Sequence, residues 1–217
     1  PLEALELVPP EILRYLIAST KPKKAITFDA GMSLVELADE YERLLSRDLE
    51  SEMNDETLSR RQKVAIEDAE GALRMSRIGD SSSSNVSFRH LAMLAQVKSD
   101  QEIVQSLGED ISDKLARMRN WIEGAHFPAE LRISVRNEKM PGIDESISSA
   151  LCQSLTDCEW EAKAIGEAIS SCFKNNEISP KEGYINLYLA ILGVEKGPRL
   201  APILSELERS RVLDLLG

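Results

Sequence analysis

The residues in this chain best equipped for chemistry are cations placed beside rings. Arg89 and His90 open one expected helix next to Phe88, and Arg117, Arg119 and Trp121 close another. Lys196 and Arg199 sit on the elbow Gly193-Val-Glu-Lys196-Gly197-Pro198-Arg199, and Lys23 and Lys24 follow Pro22. Guanidinium and ammonium groups hold phosphates while planar side chains stack on unpaired bases, so these sets suit splayed, single-stranded nucleotides. Each set also has a packing alternative. Trp121 ends an apolar stripe, and tryptophan is usually highly buried; His90 adjoins Phe88 and Leu91. Arg199 stands at an expected helix start, where a cation opposes the dipole, so structure alone gives it little reason to be there.

Charge confines where such binding can occur. With 37 acidic against 26 basic residues and a net charge of −11, the surface as a whole repels phosphate, and nucleic-acid binding needs a local basic face. Other chemistries lack their parts. There is no glycine-rich phosphate loop, no Gly-x-Ser-x-Gly elbow and no His-Glu-x-x-His helix. The two histidines, His90 and His126, lie far apart in sequence, so no metal site is expected from neighbouring ligands. Glu36, Asp39, Glu40 and Glu42 fall at helical spacing beside Arg43, the pattern of a solvated, ion-paired face, and no catalytic residue is assigned. Cys152, Cys158 and Cys172 form an odd set without close pairs, arguing for reduced packing residues and against disulfides or a zinc knuckle. No apolar run nears the ~20 residues that span a bilayer, and no secretory leader precedes the first helix. A cytoplasmic protein without a membrane partner is expected, and the abrupt start at Pro1 reads as a piece of something longer.

The elements that must position these residues are helical. Pro9-Pro10-Glu11 starts a helix with Ile12, Leu13, Leu16 and Ile17 on its apolar stripe, ending before Lys21-Pro22. Ser33-Leu-Val-Glu36 reads as a capping box for a helix that buries Leu34, Leu37, Ala38, Tyr41, Leu44 and Leu45. A third helix from about Asp55 carries Leu58, Ala65, Ile66, Ala69, Leu73 and Met75. Gly79 and the run Ser81 to Ser84 then form the clearest linker. Ser87 caps the next helix, Ser99-Asp-Gln-Glu102 opens a brief one that Gly108 closes, and Ile111, Leu115, Met118 and Ile122 mark another that stops at Gly124. Leu131, Ile133 and Val135 alternate but are bracketed by Pro128 and Pro141, too tightly for a sheet. Helices over Ile143 to Leu155 and Trp160 to Cys172 follow. Ser179-Pro180-Lys-Glu182 launches a last clear one ending at Gly193, beyond which Gly197-Pro198 starts another. The expectation is an all-α bundle or cage, without a regular repeat.

The stretch Pro10-Glu-Ile-Leu-Arg14-Tyr15-Leu-Ile, with Lys21-Pro22, Ile26-Thr-Phe28-Asp29-x-Gly31 and Asp39-Glu40-Tyr41-Glu42-Arg43-Leu44, resembles class I lysyl-tRNA synthetases, where it follows the catalytic signature loop. Ser87-Phe88-Arg89-His90-Leu91, Arg119-Asn-Trp121-Ile and Tyr188-x-x-Ile-Leu-Gly193-x-x-x-Gly197-Pro198-Arg199 resemble that family's C-terminal helical region, in family order. The resemblance implies a helical stem-contact region over residues 1–84 that follows the catalytic domain, then an α-helix cage anticodon-binding domain over residues 85–217. It implies tRNA and the catalytic domain of the parent protein as partners, with neither DNA nor membrane. It makes Arg89, His90, Arg119, Trp121, Lys196, Arg199, Lys23 and Lys24 the candidate RNA contacts. The parent would be an ATP- and Mg-dependent lysine–tRNA ligase. This stretch has neither a HIGH-type nor a KMSKS-type sequence, so it is expected to need no cofactor and to be inactive alone. The Gly-x-x-x-Gly-Pro elbow by itself also resembles the end of glutamyl-tRNA synthetases. A helical protein-interaction scaffold would share every cap and stripe.

Overall fold

Every regular element among the described residues, 2–78 and 86–217 of the computed structural model, is helical. The expected linker, Gly79 and Ser81 to Ser84, lies outside the described residues. No helix among them is long and apolar enough to cross a membrane. The chain divides into two compact units, residues 1–95 with 100–128, and residues 96–99 with 129–217. This packing division differs from the boundary at 84/85 that the resemblance implies.

The first unit holds α1 (Leu2–Leu7), α2 (Pro10–Ser19), α3 (Met32–Leu45), α4 (Leu49–Met53), α5 (Arg60–Ser76), most of α6 (Phe88–Val97), α7 (Asp100–Leu107) and α8 (Ser112–Glu123). Pro10 starts α2 as expected, since its missing N–H costs nothing in a first turn. Its buried face is Ile12 and Tyr15, whereas Ile17 is 60% exposed. Tyr15 turns inward because its ring packs on Tyr41 of α3, centroids 5.3 Å apart, and its hydroxyl donates to Glu40 Oε1 at 2.9 Å. Burial and this carboxylate push the phenol well above its ordinary range.

The start of α3 departs from expectation. The helix begins at Met32 with Gly31 as N-cap, and no side chain caps it from that position. Asp29 supplies the acceptors instead, taking the Gly31 amide at 3.0 Å and bonding to Ser33, which holds its carboxyl below the usual range. With Ser33 already inside the first turn, the expected Ser33–Glu36 box has no N-cap to act on. Val35 joins the core, while Leu45 and Met75 of the expected apolar stripes are exposed. The region from Asp55 is also subdivided: α4 ends before it, and α5 starts at Arg60 behind a capping box formed by Ser59 and Gln62. The α6 cap is as expected, Ser87 Oγ accepting the His90 amide at 3.2 Å. Gly108, with φ of +97°, follows α7 immediately, a left-handed position that favours glycine.

The second unit comprises α9 (Glu145–Thr156), α10 (Ala162–Asn175), α11 (Pro180–Leu192), α12 (Leu200–Ser205) and α13 (Arg209–Leu216). Leu131, Ile133 and Val135 form no strand; only a single 3-10 turn, Ala129–Leu131, is regular there. Asp144 caps α9 by accepting the Ser146 and Ile147 amides. Buried Asn186 ties α11 to that cap, accepting the Asp144 amide at 3.0 Å and donating to the Asp144 carbonyl at 3.2 Å and Ser148 Oγ at 3.0 Å. A buried amide so paired costs little and fixes how α9 meets α11. Trp160 donates to the Leu207 carbonyl at 2.8 Å and carries Arg209 over its ring at 5.0 Å, anchoring the approach to α13.

Candidate nucleic-acid interface

The elbow between α11 and α12 is held by a hydroxyl. The last turn of α11 ends on Gly193, whose φ of +71° is left-handed, and its amide donates to the Leu189 carbonyl at 3.0 Å. This is the helix-stopping role read from the sequence. Five residues before Gly193, Tyr188 turns its hydroxyl onto the far side of the elbow, 3.1 Å from the Gly197 carbonyl and 2.7 Å from that of Pro198. The pinned carbonyls bring Arg199 to the N-cap of α12 with its side chain exposed, and Lys196 projects from the same turn. No described residue bonds or pairs with the side chain of either cation.

The other predicted residues have different surroundings. Lys23 and Lys24 lie on the exposed loop between α2 and α3, in a turn closed by Lys24 N donating to the Lys21 carbonyl at 2.9 Å. Arg89 is exposed, but its Nε already faces both Asp39 carboxylate oxygens, at 2.9 and 2.7 Å. Arg117 pairs with Asp113 one turn earlier on α8. Arg119 is committed more heavily: Nε and Nη2 donate to Asp100 Oδ1 at 2.8 and 2.6 Å, and Nη1 to the Ala95 carbonyl. It braces helix ends inside the first unit. His90 is half-buried on α6.

Trp121 is a core residue. It is 1% exposed, lies between Phe88 and Phe127 with centroids 5.0 and 4.8 Å away, and donates its indole N–H to the Ala30 carbonyl at 2.6 Å. A base has no open face to stack on, so its packing reading replaces its reading as a platform. Of the eight residues predicted, the structure places Lys196 with Arg199 on one turn, Lys23 with Lys24 on another, and the Arg89–His90 start of α6 next to Trp121 through Phe88.

Beside the elbow, wholly within the second unit, α10, α11 and α12 line a cavity of about 640 Å³. Its wall includes Tyr184 and Tyr188 of α11, Lys163 of α10 and Arg199, over the apolar surfaces of Ile169 and Leu200. Tyr184, 38% exposed, meets Phe173 edge-on at 5.2 Å. Sequence reading did not select Lys163, Tyr184 or Tyr188 as contacts. The spacing of four between the tyrosines, one turn ahead of the elbow, was the available signal for two of them; nothing local marks Lys163.

Residues 1–69 match the family described as tRNA synthetases class I (K). The chain is 26% identical over 232 residues to a lysine–tRNA ligase of Thermoplasma volcanium, an alignment that takes in 99% of this chain and 44% of that protein. It is 26% identical over 245 residues to one of Methanosarcina barkeri, covering 98% of this chain and 44% of the ligase. With one of Thermococcus kodakarensis it shares 26% identity over 238 residues, covering 97% of this chain and 43% of the ligase. The chain thus spans less than half the length of these relatives. The chain is thus similar along nearly its whole length to lysine–tRNA ligases, and at residues 1–69 to the tRNA synthetases of class I (K).

Proposed function

We propose that this chain recognises the anticodon of a lysine-accepting tRNA on behalf of a class I lysyl-tRNA synthetase. The complete protein would attach lysine to tRNA with ATP and Mg, in the cytoplasm. The observation that carries the reading is the similarity to lysine–tRNA ligases along 94–99% of the chain, in a stretch without HIGH-type or KMSKS-type sequence. A part of such an enzyme that lacks the activation elements is left with holding the tRNA. Residues 1–84 would contact the stem, residues 85–217 would form the cage around the anticodon loop, and the catalytic part of the same protein would receive the acceptor end.

The physical role suits what the chain offers: a rigid helical platform that presents a few unpaired cations to a splayed loop. Lys196 and Arg199 are the strongest contacts among the predicted residues, because neither side chain has to leave a protein partner to meet a phosphate. Lys23 and Lys24 share that property. Arg89 and Arg119 would first have to give up Asp39 and Asp100. Trp121 drops out of the set.

Titrating the 217-residue chain with tRNA(Lys), and with the same tRNA altered only in its anticodon, tests the reading. Tighter binding of the unaltered tRNA is expected, and Arg199→Glu should weaken it at unchanged helicity by circular dichroism. Equal affinity for the two tRNAs would point to a scaffold or a stem-only role and overturn the anticodon assignment.

A further inference from the structure

Within the first unit, the end of α2 meets α3 and α5 around a cavity of about 440 Å³, inside the ~300–1,000 Å³ range of small-ligand pockets. Its floor is apolar: Tyr15, Leu44 and Ala72 are all buried. Its rim carries both signs of charge, Lys21 and Arg43 against Glu40 and Asp68. Arg47, on the same rim, closes on Glu52 at 3.0 Å; the others stay open. The side chains of Lys21, Arg43 and Asp68 are exposed, and no described residue bonds or pairs with any of them. Glu40 accepts the Tyr15 hydroxyl on Oε1 and keeps Oε2 unused. Glu40 raises the pKa of the Tyr15 phenol and Arg43 lowers it, so both charges act at the floor. The last turn of α2 adds a bare acceptor. Pro22 stands four residues after Ala18 and has no N–H to give, so the carbonyl of this lining residue lacks its helical donor.

An anion entering this cavity meets Glu40 and Asp68 along with the cations, and a lone cation meets Lys21 and Arg43. A molecule carrying both charges gains from each side, and an aliphatic body suits the floor. We propose that the cavity binds a small zwitterion of the free aliphatic α-amino acid class, its carboxylate toward Lys21 and Arg43 and its ammonium toward Asp68 and the end of α2. A helix C-terminus favours a cation, which fixes that orientation. The three charges come from the loop after α2, from α3 and from α5, so an occupant ties these elements together and stabilises the fold by mass action. The site uses none of the cations assigned to tRNA, and it stands or falls independently of the anticodon reading.

The test needs no RNA. The 217-residue chain is titrated with L-leucine, with 4-methylpentanoate, which lacks the ammonium, and with 3-methylbutylamine, which lacks the carboxylate, following amide shifts by NMR and Tm. Leucine should bind with a Kd in the millimolar range, as a ligand of about nine non-hydrogen atoms does, shift the amides of Tyr15, Leu44 and Ala72, and raise Tm. Each single-charge analogue should bind ~5- to 20-fold more weakly, the loss of one charge-assisted hydrogen bond. Arg43→Gln and Asp68→Asn, both at exposed positions, should keep native helicity and weaken leucine binding by the same factor. Arg43→Gln should also abolish the preference for leucine over 3-methylbutylamine, which a merely structural role for Arg43 would leave intact. The proposal is overturned if ~20 mM leucine moves neither these amides nor Tm, if either analogue binds as well as leucine, or if both variants bind leucine like the native chain.

Discussion

Glu42 shows how a single carboxylate can be both cap and liability. It is half-buried on α3 and accepts the Phe88 amide at the start of α6, giving that amide a partner its own helix cannot supply. Burial raises its pKa; neighbouring Asp39 adds to the rise, and the amide bond, Lys114 and Arg89 pull the other way. A carboxyl with a raised folded pKa binds its proton more readily folded than unfolded. Its ionisation therefore costs stability at neutral pH, and that cost is relieved as pH falls through the raised value toward the ordinary 4.5. Glu42→Gln keeps an acceptor for Phe88 and discards the charge. It should unfold at the same or a higher temperature than the native chain at pH 7, with a flatter dependence of Tm on pH above 4.5. A loss beyond about 1 kcal/mol, an ordinary hydrogen bond, would mean that the negative charge itself holds α6. Asp29 is the opposite case. Exposed and bonded to Ser33 and Gly31, it is favoured as the anion, so what it contributes is present above its ordinary pKa and lost as pH falls through its depressed one.

Between helices the decisive quantity is space, most clearly at Gly183. A methyl group there would lie 2.4 Å from the buried Phe173 ring, far inside contact distance. Gly183 therefore lets α11 approach α10 closely enough for Phe173 to fill the gap and meet Tyr184 edge-on. Gly183→Ala should destabilise the protein by about 1–3 kcal/mol, the usual cost of overpacking, read from urea unfolding followed by circular dichroism. A change below ~0.5 kcal/mol would show that the ring moves aside freely. Sequence reading identified α11 from Ser179-Pro180 and its end from Gly193, because proline at a first turn and a left-handed glycine act within a few residues. It misread the start of α3 for an equally local reason: two acceptors compete, and Asp29 reaches the turn before Ser33 can cap it. It placed Ile17, Leu45 and Met75 in the core because periodicity marks a stripe, while a neighbour decides how much of the stripe is covered. The cavity beside the elbow was out of reach. Lys163, Tyr184 and Arg199 come from α10, α11 and the N-cap of α12, and only packing brings them together.

At the scale of the molecule the question is how a chain of net charge −11 can hold a polyanion. Four arginines at or near the surface are already matched: Arg89 to Asp39, Arg117 to Asp113, Arg119 to Asp100, Arg47 to Glu52. Such pairs contribute little to stability at the surface, but they lower the positive field offered to RNA. Lys23, Lys24, Lys196, Arg199 and Lys163 have no such match among the described residues, nor do exposed Arg60, Arg61, Lys174 and Lys181, so these are among the cations open to phosphate. Acidic surface elsewhere would keep the phosphate chain from settling at random. Each phosphate neutralised in a single-stranded region contributes ~0.7 to the slope of log affinity against log salt. The four unmatched cations among the six singled out from sequence predict a slope of about −3, and Lys163 takes it to about −3.5. Measuring tRNA affinity by filter binding across a salt series at constant pH checks this. A slope shallower than about −1 would mean that contact is mainly apolar and these cations stay in water. A slope near −5 would require Arg89 and Arg119 to leave their carboxylates for phosphate, and removing those carboxylates, with Asp39→Asn and Asp100→Asn, should then tighten binding.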